Sequence, residues 1–158
     1  LKTALDNREP GSPNISILSF KKGFHGRTMG CLSTTRSNAW HKINIPAFNW
    51  PVAPFPQLKY PLHKNELINF LEEEKCLDET VKILKENKTI AGMIIEPIQA
   101  EGGDRHASND YFIKLRQLAL AKILHTYGGF LVPKSFLCFE YKLALVVDID
   151  KPSICSRS

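Results

Sequence analysis

The sequence predicts an α/β fold built on a parallel sheet with flanking helices. Three observations predict it. Short apolar runs of strand length alternate with longer stretches whose apolar residues fall at helical spacing. The run Ile90–Ile95 is almost continuously apolar, as expected of a strand buried on both faces. Glycines and prolines punctuate the joins between these segments.

Taken in order, residues 1–14 hold Asn7, Pro10, Gly11, Pro13 and Asn14, which is turn chemistry. Residues 15–20 form an apolar run and read as the first strand. A helix is expected to start near Arg27 or Thr28 and to run to about Thr35. Residues 43–61 carry Pro46, Pro51, Pro54, Pro56 and Pro61, with Phe48, Trp50, Phe55 and Tyr60 between them. Proline removes backbone donors and fixes the chain, and the interleaved aromatics favour a crossing segment packed on its own domain. A proline-rich ligand for another domain is the alternative.

Leu67, Phe70, Leu71, Leu77, Val81 and Leu84 fall at helical spacing, so residues 64–86 read as one helix or two. Glu72, Glu73, Glu74 and Lys75 then form a solvated face, and Asn87 and Lys88 end the helix. Glu96 and Pro97 stop the strand Ile90–Ile95. Ser108 is the expected N-cap of a helix through about Leu124, with Phe112, Leu115, Leu118 and Ala119 facing inward. Gly128 and Gly129 break that helix, and residues 130–132 begin another buried strand. Residues 136–147 are apolar without a clean period, and the end is polar and irregular.

Composition narrows the function classes. Hydrophobic residues make up 43% and charged residues 23%, a globular balance rather than a disordered one. No apolar run approaches the roughly 18 residues of a membrane-spanning helix. The formal charge is +5, but Lys and Arg are scattered and not interleaved with aromatics, so a solvated basic surface is favoured over nucleic-acid binding. Cys31, Cys76, Cys138 and Cys155 show no zinc-like spacing and read as free thiols. His41, His63, His106 and His125 have no metal-ligand spacing either and read as structural or surface residues. The chain begins at Leu1 without a basic and apolar leader, so it makes no statement about compartment.

Open α/β sheets bind ligands beyond the carboxyl ends of their strands, and two segments occupy such positions. Phe24-His25-Gly26-Arg27-Thr28 offers an aromatic face, an imidazole and a guanidinium beside small glycines. An aromatic ring stacks on a planar heterocycle, and an arginine grips a carboxylate through two parallel hydrogen bonds. These residues suit an anionic, aromatic ligand, but composition alone favours a plain glycine-rich strand-to-helix turn with a surface arginine. In the second segment, Glu96 and Glu101 lie five residues apart at a strand end, and Gly102-Gly103 permits a tight turn. Buried carboxylates need partners and are often functional, yet a strand-end glutamate paired to a nearby cation is the alternative.

Together these segments resemble class III pyridoxal-phosphate aminotransferases. The stretch from Phe24 to Gly30, FHGRTMG, is similar to the FHGRT-x-G of that class. Ile45-Pro46, Trp50-Pro51 and Ala53-Pro54-Phe55-Pro56 are similar to the branch of the class that acts on 4-aminobutyrate. So are Glu96-Pro97-Ile98-Gln99, Glu101-Gly102-Gly103-Asp104 and His106-Ala107-Ser108, and the likeness runs over residues 15–132. It implies a fold-type-I pyridoxal-phosphate enzyme, a homodimer of the mitochondrial matrix moving an amino group from 4-aminobutyrate to 2-oxoglutarate, with no nucleic acid or membrane partner. It implies Phe24, His25 and Glu96 at the cofactor, with Phe24 stacked on its ring, and Arg27 and Glu101 at the substrate. It implies no metal ligand and no catalytic residue in this chain.

The departures bear on activity. The family follows its Phe-Leu-Val strand with an aspartate that pairs with the pyridine nitrogen, whereas Val132 here precedes Pro133-Lys134-Ser135. The family's Schiff-base lysine lies downstream of the matched stretch, and Lys134 is not its positional equivalent. The expected organisation is therefore a partial transferase large domain over residues 1–132 and a divergent tail over 133–158, inactive alone. A non-catalytic isoform that dimerises with a full-length enzyme is the second reading.

Overall fold

The computed structural model describes residues 15–127, together with 137–139 and 142–145. In chain order its elements are strand β1 (Ser16–Phe20), helix α1 (Met29–Thr34), strand β2 (Val52–Ala53), helix α2 (Glu66–Glu86), strand β3 (Ile90–Ile95), strands β4 (Ile98–Gln99) and β5 (Arg105–His106), helix α3 (Asn109–Tyr127), and strands β6 (Leu137–Phe139) and β7 (Lys142–Leu145). Single turns of 3-10 helix occupy Ala39–Lys42 and Leu62–Lys64.

The main sheet runs β2-β1-β3-β7-β6. Its first three strands are parallel, with Ser19 opposite Val52 and Leu18 opposite Met93. This is the expected parallel core with helices against it. The last two strands add an antiparallel hairpin from a region with no readable period. The strand expected at residues 130–132 lies outside the described residues. β4 and β5 form a separate antiparallel pair.

Apolar burial explains the strands. Leu18, Phe20, Ala53, Met93 and Ile95 are buried in one cluster with Leu77, Leu84, Tyr111, Leu115 and Ala119 of the two long helices. Phe55 sits between Phe20 and Tyr111, edge-on to both at 6.4 and 6.2 Å, the geometry aromatic quadrupoles favour. The proline-rich segment packs on its own domain at Ala53, Phe55 and Pro56, whereas Phe48 and Tyr60, expected to pack with it, are exposed, as are Ile43 and Ile45. Ser19 N–H donates to the Pro51 carbonyl (3.2 Å), Lys21 N–H donates to that of Ala53 (2.8 Å), and Pro56 is fully buried.

α2 is one helix, but the face it buries differs from the expected one. Its inward residues are Asn69, Glu73, Cys76, Leu77, Thr80 and Leu84, whereas Leu67, Phe70 and Leu71 are exposed. Glu73, read from sequence as part of a solvated face, is only 7% exposed. Its two oxygens accept from the Ser108 N–H and the Ser108 hydroxyl, each at 2.7 Å. Ser108 Oγ in turn accepts from Tyr111 N–H at 3.1 Å, so it is the N-cap the sequence indicated. Asn69 pins the preceding segment at Lys59 through both of its amide atoms: its Oδ1 accepts from Lys59 N–H (2.7 Å) and its Nδ2 donates to the Lys59 carbonyl (2.9 Å). Burial, reinforced by Glu72 and Glu79, pushes the Cys76 thiol up to about 12, so it stays protonated at neutral pH.

Candidate functional site

The two segments singled out in the sequence meet at the carboxyl ends of β1 and β3. After β1 the chain turns through Lys22, which has a positive φ of 68°, and Gly23 N–H donates back to the Phe20 carbonyl at 3.1 Å. After β3 comes Glu96, 6% exposed, whose Oε2 accepts the Phe24 N–H at 2.7 Å. Neighbouring contacts reinforce this junction. Gln99 is fully buried and its Nε2 donates to the Lys21 carbonyl at 3.0 Å. A β-carbon on Gly102 would lie 2.3 Å from the Lys22 carbonyl oxygen, so only glycine lets the second loop approach the first this closely.

That contact sets a prediction. Gly102→Ala should separate the two loops and destabilise the chain by about 1–3 kcal/mol, the usual cost of overpacking against an element that must move. Gly103→Ala meets no neighbouring atom, and its penalty should come only from its φ of +103°. Chemical denaturation of the two variants checks this, and equal stability of the Gly102 variant and the parent would show that the loops are not in register contact.

The turn itself is held from below by α1. Thr35 is fully buried. Its Oγ1 accepts from His25 N–H (3.0 Å) and donates to the Gly26 carbonyl (2.8 Å), where Gly26 takes a φ of +108°. The next residue, Arg36, donates its backbone N–H to the Gly23 carbonyl at 2.6 Å. Its guanidinium donates to Ser19 Oγ (3.2 Å) and to the Trp50 carbonyl (3.0 Å), which ties β1 to the proline-rich segment. Burial lowers its pKa from the ordinary arginine value. Lys42 caps the end of α1, its Nζ donating to the Thr35 carbonyl at 2.7 Å, and burial with Arg36 nearby lowers its pKa.

The candidate residues therefore divide. Phe24, His25 and Glu96 come together: Phe24 is half-buried and edge-on to His41 at 5.3 Å, and His25 and Glu96 are buried. Arg27 and Glu101 are exposed on the same two loops. A planar, anionic group suits this arrangement, with the half-buried aromatic ring of Phe24, the exposed guanidinium of Arg27, and open space at Gly30, where a β-carbon would meet nothing within 4 Å. The sequence marks none of the supporting residues Thr35, Arg36 and Gln99 as a site residue: Thr35 enters only as a helix end and Gln99 only within the Glu96–Gln99 motif. Their types are ordinary, and only their burial marks them.

Two clefts lie beside the second loop, and their walls include neither Phe24 nor Glu96. One of about 180 Å³ is lined by Tyr60, Arg105 and His106 among others. Tyr60 Oη and His106 Nε2 are hydrogen-bonded there, their rings edge to face. The other, about 540 Å³, lies between the start of α2 and the start of α3. Among the described residues no group of His, Cys, Asp and Glu is placed to hold a metal ion, and no helix is long and apolar enough to cross a membrane.

The sequence model of the family described as aminotransferase class-III matches residues 1–123. Over 123 residues, 75% of the chain, it is 58% identical to the mitochondrial 4-aminobutyrate aminotransferase of Homo sapiens. Over 119 residues, also 75% of the chain, it is 56% identical to the 4-aminobutyrate aminotransferase of Dictyostelium discoideum. Those stretches are 25% and 24% of the relatives, so the chain spans about a quarter of their length. Among solved structures it is similar to a lysine aminotransferase from M. tuberculosis, with a TM-score of 0.61 and 29% identity over 68% of this chain and 24% of that one.

Proposed function

The chain belongs to the class-III aminotransferase family, and on that premise we propose that residues 1–132 are part of the large domain of an enzyme that transfers the amino group of 4-aminobutyrate to 2-oxoglutarate. The observation that supports this most is the Phe24–Glu96 hydrogen bond. It joins the two loops that carry every candidate ligand residue, at the end of a parallel sheet where such ligands bind.

Enzymes of this family work with pyridoxal phosphate, which when bound supplies an electron sink for charge formed beside the amino group. Phe24 presents an aromatic face to that ring. Glu96 fixes the Phe24 backbone and so sets the height of the ring. His25, buried beneath the turn and bonded through its N–H to Thr35, holds the loop against the sheet. Arg27 offers a two-pronged donor to a substrate carboxylate, and Glu101 stands on the opposite loop at the substrate side. The name of the Homo sapiens relative supports a mitochondrial setting, and on this reading the full-length enzyme works in the matrix as a homodimer.

Residues 133–158 form a divergent tail, and the 158 residues alone are inactive. At the position where the family pairs an aspartate with the pyridine nitrogen, this chain has Pro133-Lys134-Ser135 after Val132. The test is direct. A polypeptide of these residues, mixed with pyridoxal phosphate and reduced with borohydride, should carry only scattered pyridoxyl groups on surface lysines. A stoichiometric adduct at one lysine, mapped by mass spectrometry, would overturn inactivity. A second reading, a non-catalytic isoform that docks on a full-length enzyme, is supported by exposed apolar side chains such as Trp40 (79%) and Leu67 (70%). Co-purification with the longer enzyme distinguishes the two.

A further inference from the structure

β3 is the strand most in need of neighbours on both sides. Five of its six residues are buried, so it sits inside the domain and not at a solvated margin. β1 takes one of its edges in parallel. The other edge, left bare, would present a row of unpaired N–H and C=O groups on an apolar strand, a template for pairing with another chain.

Strand β7 takes that edge. β7 lies antiparallel to β3, with Met93 opposite Leu145, Ile94 opposite Ala144 and Ile95 opposite Leu143. β6 then backs β7, with Leu137 opposite Ala144 and Phe139 opposite Lys142. The strand lengths form a gradient across the sheet. β1 and β3 in the middle have five and six residues, β7 has four, and the margins β6 and β2 have three and two. Long strands are thus inside and very short ones outside, which is how natural sheets suppress edge-to-edge association.

We propose that the β6–β7 hairpin is a strand donor in cis: it closes the β3 edge, so that this chain cannot pair through that edge with a second copy or with a longer member of its family. Any docking on a full-length enzyme must then use another face. The inference needs no cofactor and no substrate, so it stands or falls separately from the aminotransferase reading.

A proline in β7 tests it, because β7 has neighbours on both sides and every amide in it faces one of them. In Ala144→Pro, hydrogen exchange of the Ile90–Ile95 amides should rise tenfold or more, with β1 and α2 still protected. Sedimentation should show concentration-dependent self-association that the parent lacks. Ala144→Val, which keeps the donor and the strand preference, should match the parent. Parent-like exchange in Ala144→Pro overturns the proposal. If Ala144→Pro unfolds throughout, Met93→Cys combined with Leu145→Cys decides. A 93–145 disulfide within one chain, found by peptide mapping of the monomer, upholds it, and a link only between chains, or none, overturns it.

Discussion

Glu73→Ala should lower the stability of this chain by about 3 kcal/mol, while a truncation of its neighbour Glu72 should cost little. The carboxylate of Glu73 is buried and receives two hydrogen bonds from one residue, the N–H and the hydroxyl of Ser108. Bonds to a charged group contribute about 1.5–3 kcal/mol each, and donors left without an acceptor in a buried place cost about 1–3. Ser108 also caps α3, so its displacement removes a further contribution of about 1 kcal/mol. Glu73→Gln keeps an acceptor and an approximate shape, and should lose less than half as much. Urea denaturation with an unchanged slope is the measurement. A Glu73→Ala midpoint equal to that of the parent would return the residue to the solvated face that its neighbours suggest.

Arg27→Lys, placed in the longer enzyme that carries this segment, should reduce kcat/KM for 4-aminobutyrate at least tenfold. Lysine keeps the charge but loses the planar fork that meets a carboxylate with two parallel bonds. Losing one charge-assisted bond of about 1.5–3 kcal/mol corresponds to a factor of ten or more. Because Arg27 is exposed here, the same substitution should leave the melting temperature nearly unchanged. Undiminished efficiency with intact stability would reduce Arg27 to a surface residue of a glycine-rich turn.

The elements with strong local signals were legible. The strand Ile90–Ile95 carries its signal in continuous apolar character, and Ser108 announces α3 by its capping chemistry. The inward face of α2 was legible only in part, at Leu77 and Leu84. Its stripe of Asn69, Glu73, Cys76, Leu77, Thr80 and Leu84 is half polar, and the apolar Leu67, Phe70 and Leu71 compete with it at equally good spacing. A pattern of hydrophobicity cannot find a buried carboxylate whose acceptor role is filled from another helix. The hairpin was illegible for a related reason: three- and four-residue strands are too short to show alternation, and their pairing with β3 is not local.

For the candidate site, glycine, arginine and paired glutamates marked both loops as exceptional. Their meeting was not legible, because Phe24 and Glu96 are 72 residues apart and are joined through a backbone donor that any residue type supplies. The same holds for Thr35, whose hydroxyl bridges His25 and Gly26. Side-chain identity alone does not distinguish that threonine from the exposed Thr28.

The order in which the sheet is assembled has a consequence in time. β1, β2 and the two-helix scaffold precede or directly follow β3 along the chain, but the strand that closes it, β7, ends roughly fifty residues after it. At a synthesis rate of about 5–20 residues per second, β3 leaves the ribosome some 3–10 seconds before its second neighbour exists. During that interval an apolar strand has one free side, and the nascent chain depends on chaperones or on slow local folding to keep it from pairing elsewhere. The yield of soluble protein should then depend on the speed of translation through residues 96–145, a quantity that synonymous codons change without altering a single contact.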